Sequence, residues 1–438
     1  MVATASQLIS QAQAFDWIEK IIRVAESDGV MVAIAEREST LGRFGENQIR
    51  QNLQKNQFEI TITSSFGSRS ASVTTVEQDW EQIQVALRRS EDLARLAPED
   101  PEWVPLLVKQ VYAVRTAKFD AATLQRSPLQ RGELIQQVCQ WSEAAGVNGS
   151  GILSTSAKVY ALGNSVGLRA GDRQTQAEFS YTAKIGNGSS WQSRTAWGID
   201  ELPIEQMVLT TMERAKRSQN PRRVEPGTYP VVLGAGAVAN LIPRLVWYMS
   251  ARAAAEGRSY FAKHPLGEQI FSPLVNLYRD PTHPLLQTGA FDSQGLPCNP
   301  LAIATEGIPR TLSYDRYWAQ QTGQKPTGSL FPLVMTGSDQ TVADLIAQTE
   351  RGIFINRAWY VQAVNPQTLE FTGMTRDGTF WIENGKLAYP ICNLRFNQSL
   401  PDLLRDVEAI ATPERHGSTV VPALKVKSFH FSSVTDSI

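Results

Sequence analysis

Apolar residues recur along the first part of the chain with two different periods. Leu8, Ala12, Phe15, Ile18, Ile22 and Ala25 return every three or four positions, which predicts an amphipathic helix over 5–26. Gly29 ends it, and residues 30–35 read as a buried strand. Phe58, Ile60 and Ile62 alternate with Glu59, Thr61 and Thr63, the period of a half-buried strand. A second helix is expected over 77–97, with Trp80, Ile83, Leu87 and Ala94 on one side. Pro98, Pro101 and Pro105 then impose an extended connection, because proline has no amide proton to give a helix.

Ser127 and Pro128 suit the cap and first turn of another helix, running to about Ala145. Short strand-like runs follow, punctuated by Gly163-Asn164-Ser165 and Gly186-Asn187-Gly188, which favour turns. Residues 203–218 read as helix. The polar, proline-bearing stretch 220–227 is the best domain boundary. It divides the chain into an N-terminal domain over 1–225, a mixed sheet with helices, and a β-rich C-terminal domain over 226–438. In the second, 228–233 reads as a strand and 235–255 as a mostly apolar helix. Asn384-Gly385, centred in the run 380–389, suits a type I′ hairpin turn. No repeat of 20–50 residues is visible. The fold class is α/β, of the α+β kind.

Composition narrows the function classes. The 438 residues are 42% hydrophobic and 19% charged, enough apolar material for substantial cores. The formal charge is −1, from 42 basic and 43 acidic residues, so no global excess of cations attracts nucleic acid or an anionic membrane. Cys139, Cys298 and Cys392 are distant and odd in number, which argues against a disulfide framework. The N-terminus lacks a basic segment followed by an apolar one, and the apolar stretch 231–246 is interrupted by Asn240, Pro243 and Arg244. The expectation is a cytoplasmic protein without a membrane span.

Candidate chemistry is sparse. Gly234-Ala235-Gly236-Ala237-Val238-Ala239 has the spacing of a dinucleotide fingerprint, but no acid ends a second strand about twenty residues on. A tight strand-to-helix turn with small residues is the stronger reading. The four histidines, His264, His283, His416 and His430, show no i, i+4 or i, i+5 spacing, and no nearby cysteine completes a ligand set. Surface or loop histidines are expected, and a distant pairing of His416 with Cys392 has no positive signal. No G-x-S-x-G elbow or phosphate-binding P-loop is present, and no two carboxylates pair for acid–base work. Trp359-Tyr360 and Phe380-Trp381 lie in strand-like segments, where core packing is the first expectation and a peptide groove the second.

Whole segments carry more information than these motifs. The block from Ser39-Thr40-Leu41-Gly42-Arg43-Phe44 to Ile49-Arg50-Gln51-Asn52, then 162–169, Ala255-Glu256-Gly257-Arg258-Ser259, Phe271-Ser272-Pro273, Phe291-Asp292, Gly295-Leu296-Pro297, Lys325-Pro326-Thr327-Gly328-Ser329, Thr349-Glu350-Arg351-Gly352-Ile353, Val364-Asn365-Pro366 and Trp381-Ile382-Glu383-Asn384-Gly385 follow one another as in the TldD/PmbA family. In that order they resemble the family over almost the whole chain. The resemblance implies its two-domain fold. It also implies one of two subunit types. TldD-type chains hold zinc with an H-E-x-x-x-H helix and a distant cysteine. PmbA-type (TldE) chains lack that motif, and together the two form a closed heterodimer acting on unfolded proteins or peptides. Here Pro243 and Tyr248 stand at the histidine positions and Arg244 at the glutamate position, and the tail over 413–426 has no cysteine. Proline and arginine cannot ligate zinc, and arginine cannot serve as a base. The resemblance thus implies a metal-free chain with no catalytic, cofactor or metal residues of its own, and zinc only in a TldD-type partner. A homodimeric, non-enzymatic peptide-binding protein is the alternative.

Overall fold

A computed structural model describes residues 8–113, 118–286 and 288–435. Ser10 caps α1 (Gln11–Val24), its hydroxyl accepting the Gln13 amide, and Ala14, Ile18 and Ile21 form the buried stripe. The helix is shorter than the expected 5–26, of which residues 5–7 lie outside the described set. Next come β1 (Gly29–Gly45), β2 (Gln48–Phe66), β3 (Arg69–Thr75) and α2 (Trp80–Leu96), the last capped by Asp79. After α3 (Ala121–Gln125), Ser127 and Gln130 form a capping box on α4 (Pro128–Ala144). Then follow β4 (Asn148–Asn164), β5 (Arg169–Ile185), β6 (Gly188–Ala196) and α5 (Ile204–Arg217).

The six strands pair in the order β3-β2-β1-β4-β5-β6. The sheet expected to be mixed is antiparallel at every pairing. The β4–β5 and β5–β6 links are tight turns: Asn164 Oδ1 accepts the amides of Val166 and Leu168, and Gly167 and Gly186 supply positive φ. β1 runs to residue 45 rather than 35. Its buried face continues from Val32 and Ile34 into Glu36, Glu38 and Thr40. Partners on neighbouring elements make that polar seam tolerable. Glu36 accepts the Ile9 amide and the Asn56 side chain, Glu38 accepts from Gln54, and Thr40 bonds Thr155.

The second half begins with β7 (Gly227–Leu233), α6 (Ala235–Trp247) and α7 (Ala251–Ala255). The helix expected over 235–255 is therefore two. Tyr248 ends the first, Ser250 caps the second, and the Met249 carbonyl between them accepts the amide of Ser313. Short elements follow: β8 (Leu277–Arg279), β9 (Leu301–Thr305), β10 (Ile308–Pro309), α8 (Arg316–Thr322), β11 (Leu333–Met335) and α9 (Val342–Ala347). Longer ones complete the chain: β12 (Arg351–Asn365), β13 (Glu370–Glu383), β14 (Lys386–Pro390), β15 (Leu394–Ser399), α10 (Leu400–Arg405), β16 (Val407–His416) and β17 (Thr419–Val434). The β13–β14 hairpin turns at Asn384 and Gly385, both at positive φ, as the type I′ signal predicts.

These strands form an eleven-stranded sheet in which β17 pairs with both β15 and β7. β7, β12, β13, β15 and β17 thereby close into a ring, which leaves none of them as a free edge along its paired stretch. Leu241, Ile242, Leu245 and Val246 of α6 share the main apolar core with residues of these strands. The described helices include none long and apolar enough to cross a membrane.

Several contacts join the halves; besides the Tyr160–Phe291 stack, two stand out. The extended connector after α2 reaches the C-terminal half through Glu102, which takes both Nη atoms of Arg252, and through the Tyr112 hydroxyl, which donates to the Gly295 carbonyl. At the other contact β6 meets β12, β13 and β16.

Candidate functional site

Four strands build the second contact. The Asn356 side-chain amide, on β12, donates to the carbonyls of Trp191 on β6 (2.8 Å) and Asp377 on β13 (2.9 Å). Arg357 stacks its guanidinium 4.2 Å above the Trp191 ring and pairs with Asp377 at 2.7 Å. Thr195 Oγ1 accepts the Gly417 amide from the β16–β17 turn, and Arg415 lies 4.0 Å over Trp197. These bonds fix β6 against the second sheet and leave a small cleft of about 90 Å³ between them.

The N-terminal end of α6 forms one wall. Gly234 is the helix cap and brings no capping side chain. The first-turn amides of Ala235 and Gly236 have no acceptor among the described residues, so two donors and the positive end of the helix dipole face the cleft. Gly236 lets Trp191 approach: a Cβ there would lie 3.1 Å from the ring and 3.7 Å from His416 Cε1. The small residues read in the sequence as a tight turn for close packing do serve one, and the close neighbour is the other half of the chain.

The opposite wall is charged. Arg194 on β6 pairs with Glu414 on β16 at 2.7 Å. Burial opposes ionisation of Glu414, but the neighbouring His416 and Arg194 more than offset it and hold the carboxyl below its usual range. His416 Nε2 lies 3.7 Å from Glu414 Oε2, too far for a hydrogen bond, and is buried without another partner. Arg214, projecting from α5, keeps solvent contact and makes no hydrogen bond or ion pair among the described residues. Crowding lowers its pKa, and Glu414 acts against that. Behind His416, burial raises the pKa of Glu178 on β5.

His416 is therefore neither a surface nor a loop histidine. Its side chain is 11% exposed, at the end of a strand. Cys392 lies in a different depression, with Asn187, Ser189 and Pro390, so the two are not brought to one site. Phe380 and Trp381 are core residues as expected, whereas Trp359 and Tyr360 are exposed, with Arg357 and Arg376 stacked on Trp359. Sequence reasoning missed Arg194, Arg214 and Glu414. The available signal was the Glu414-Arg415-His416 run, since residues two apart in a strand share a face.

Residues 226–433 match the family profile described as the PmbA/TldA metallopeptidase C-terminal domain. Metalloprotease PmbA of Escherichia coli O157:H7 is 23% identical over 97% of this chain and 99% of its own. The chain belongs to the TldD/PmbA family. A zinc metalloprotease TldD homolog from Saccharolobus solfataricus is 22% identical over 52% of this family member and 57% of its own chain. The fold superposes on the crystal structure of TldE from Thermococcus kodakarensis with a TM-score of 0.86, at 18% identity, covering 97% of this chain and all of that one.

The metal implied by the family name can be tested against the residues present. Pro243 is buried within α6, Tyr248 packs edge-on against Phe371, and Arg244 turns its guanidinium toward Trp247. The cleft offers one imidazole and one carboxylate, beside two guanidinium groups that repel a divalent cation. Among the described residues no three His, Cys, Asp or Glu side chains gather as a ligand set. The donor set does not fit zinc.

Proposed function

We propose that this peptidase-like TldD/PmbA-family chain is a PmbA/TldE-type subunit without its own zinc, which pairs with a TldD-type subunit carrying the H-E-x-x-x-H motif. Its role is to close the chamber and hold an unfolded peptide or protein segment for the partner's metal, in the cytoplasm. The observation that supports this reading is the side-chain chemistry of α6, where Pro243, Arg244 and Tyr248 offer neither an imidazole nor a carboxylate. Backbone pairing along a sheet edge would give sequence-tolerant hold on an extended segment.

The test is co-purification from the source cell followed by peptidase assay. A stable complex with an H-E-x-x-x-H chain, active only as the pair and silenced by a chelator, is the expected result. Peptide hydrolysis by the isolated chain, blocked by the same chelator, would refute it.

A further inference from the structure

The cleft that is wrong for a cation is built for an anion. Its donors converge from three separate elements. They are the two unpaired first-turn amides of α6, the unpartnered guanidinium of Arg214 on α5, and Arg194 on β6. His416 adds a ring nitrogen that is buried without a hydrogen bond. Glu414 is the counter-charge to these groups, in direct contact with Arg194 and acting on Arg214 from further away. Oriented amides and guanidinium groups together form a strong and common anion cradle.

We propose that this cleft is a carboxylate-binding site and that its ligand is a carboxylate borne by a peptide, at its C-terminus or on an acidic side chain. Two features select a carboxylate. Arg194, Arg214 and Glu414 carry a formal sum of one positive charge, which balances a monoanion, while a phosphate dianion would meet the Glu414 carboxylate uncompensated. The cleft, at about 90 Å³, admits a carboxylate with a short stem and excludes a nucleotide. Trp191 and Phe354 supply apolar walls for that stem. The site would anchor one end of a held segment, so the proposal rests on the peptide-holding reading for the owner of the carboxylate.

The experiment uses the full chain alone, so its outcome is separate from any pairing with a catalytic subunit. Calorimetric titration with N-acetyl-trialanine is compared with its C-terminal amide and with inorganic phosphate. The acid should bind about tenfold or more tightly than the amide and more tightly than phosphate. Arg214→Met, at a solvent-contacting position, should retain the fold by circular dichroism and erase the preference for the acid. Glu414→Gln should strengthen binding of the acid, an effect opposite in sign to simple structural damage. Equal binding of acid and amide, no binding of the acid at about 10 mM, or unchanged binding by Arg214→Met would each overturn the proposal. Tighter binding of phosphate than of the acid would overturn the carboxylate assignment.

Discussion

Along its C-terminal half, α6 turns one face into the core: Leu241, Ile242, Leu245 and Val246 are buried with residues from several strands of the closed ring. At its N-terminal end, the same helix presents bare amides to a cleft bordered by two arginines, a glutamate and a histidine. The comparison teaches that one helix can serve as a structural strut and as an electrostatic device. Apolar burial supports the first role, and unsatisfied backbone donors with uneven charge create the second. Pro243, Arg244 and Tyr248, the positions singled out by the family resemblance, lie on the strut side.

That contrast can be attacked from both ends. The largest effect should come from Leu241→Ala, which removes a fully buried side chain and should cost about 3 kcal/mol in denaturant unfolding. A loss below about 1 kcal/mol would mean that the strut is less tightly packed than described. Next, the triple change Pro243→His, Arg244→Glu and Tyr248→His should destabilise the fold by about 2 kcal/mol, because it puts an imidazole at the buried Pro243 position and removes the Tyr248 ring from its contact with Phe371. It should not retain zinc after dialysis, and retention of stoichiometric metal would show that these positions face a common space. At the cleft, Asn356→Ala breaks both bonds that tie β6 to β13 and should cost about 1–2 kcal/mol.

A smaller effect is expected from acid. Glu414 titrates below its ordinary value of 4.5, so its contribution is complete above that value and is lost as pH falls through the lowered pKa. Glu414→Gln should therefore flatten the fall of melting temperature below pH 4.5, and an unchanged slope would remove Glu414 from the contact. The smallest effect is the control. Glu46→Ala deletes an exposed ion pair with Arg50 at the β1–β2 turn and should change stability by less than about 0.5 kcal/mol.

Much of the architecture was legible because local patterns agreed with tertiary needs. The apolar stripes of α1 and α2, the capping box of α4 and the Asn384-Gly385 turn each carry their structure within a few residues. Where expectation fell short, distant residues decided. β1 extends through Glu36 and Glu38 because Asn56 and Gln54 of β2 each donate a hydrogen bond to one carboxylate oxygen there. The expected helix 235–255 breaks where the backbone of Met249 bonds Ser313 instead of continuing the helix, and Ser250 then caps the second helix. The cleft was nearly invisible. It unites β6, α5, the start of α6 and the end of β16, and no sequence spacing reports that Thr195 accepts a hydrogen bond from Gly417. The family resemblance directed attention to the C-terminal part of α6, while the guanidinium groups of Arg194 and Arg214 at its other end emerge only from the folded contact.

The most direct test of the central claim is the metal content of the chain expressed and purified alone, without chelator, measured by mass spectrometry after exhaustive dialysis. The account predicts zinc far below one equivalent per chain, with melting temperature unchanged by EDTA. About one zinc per chain, removed by EDTA together with a fall in melting temperature, would contradict it and would place a metal site on this chain.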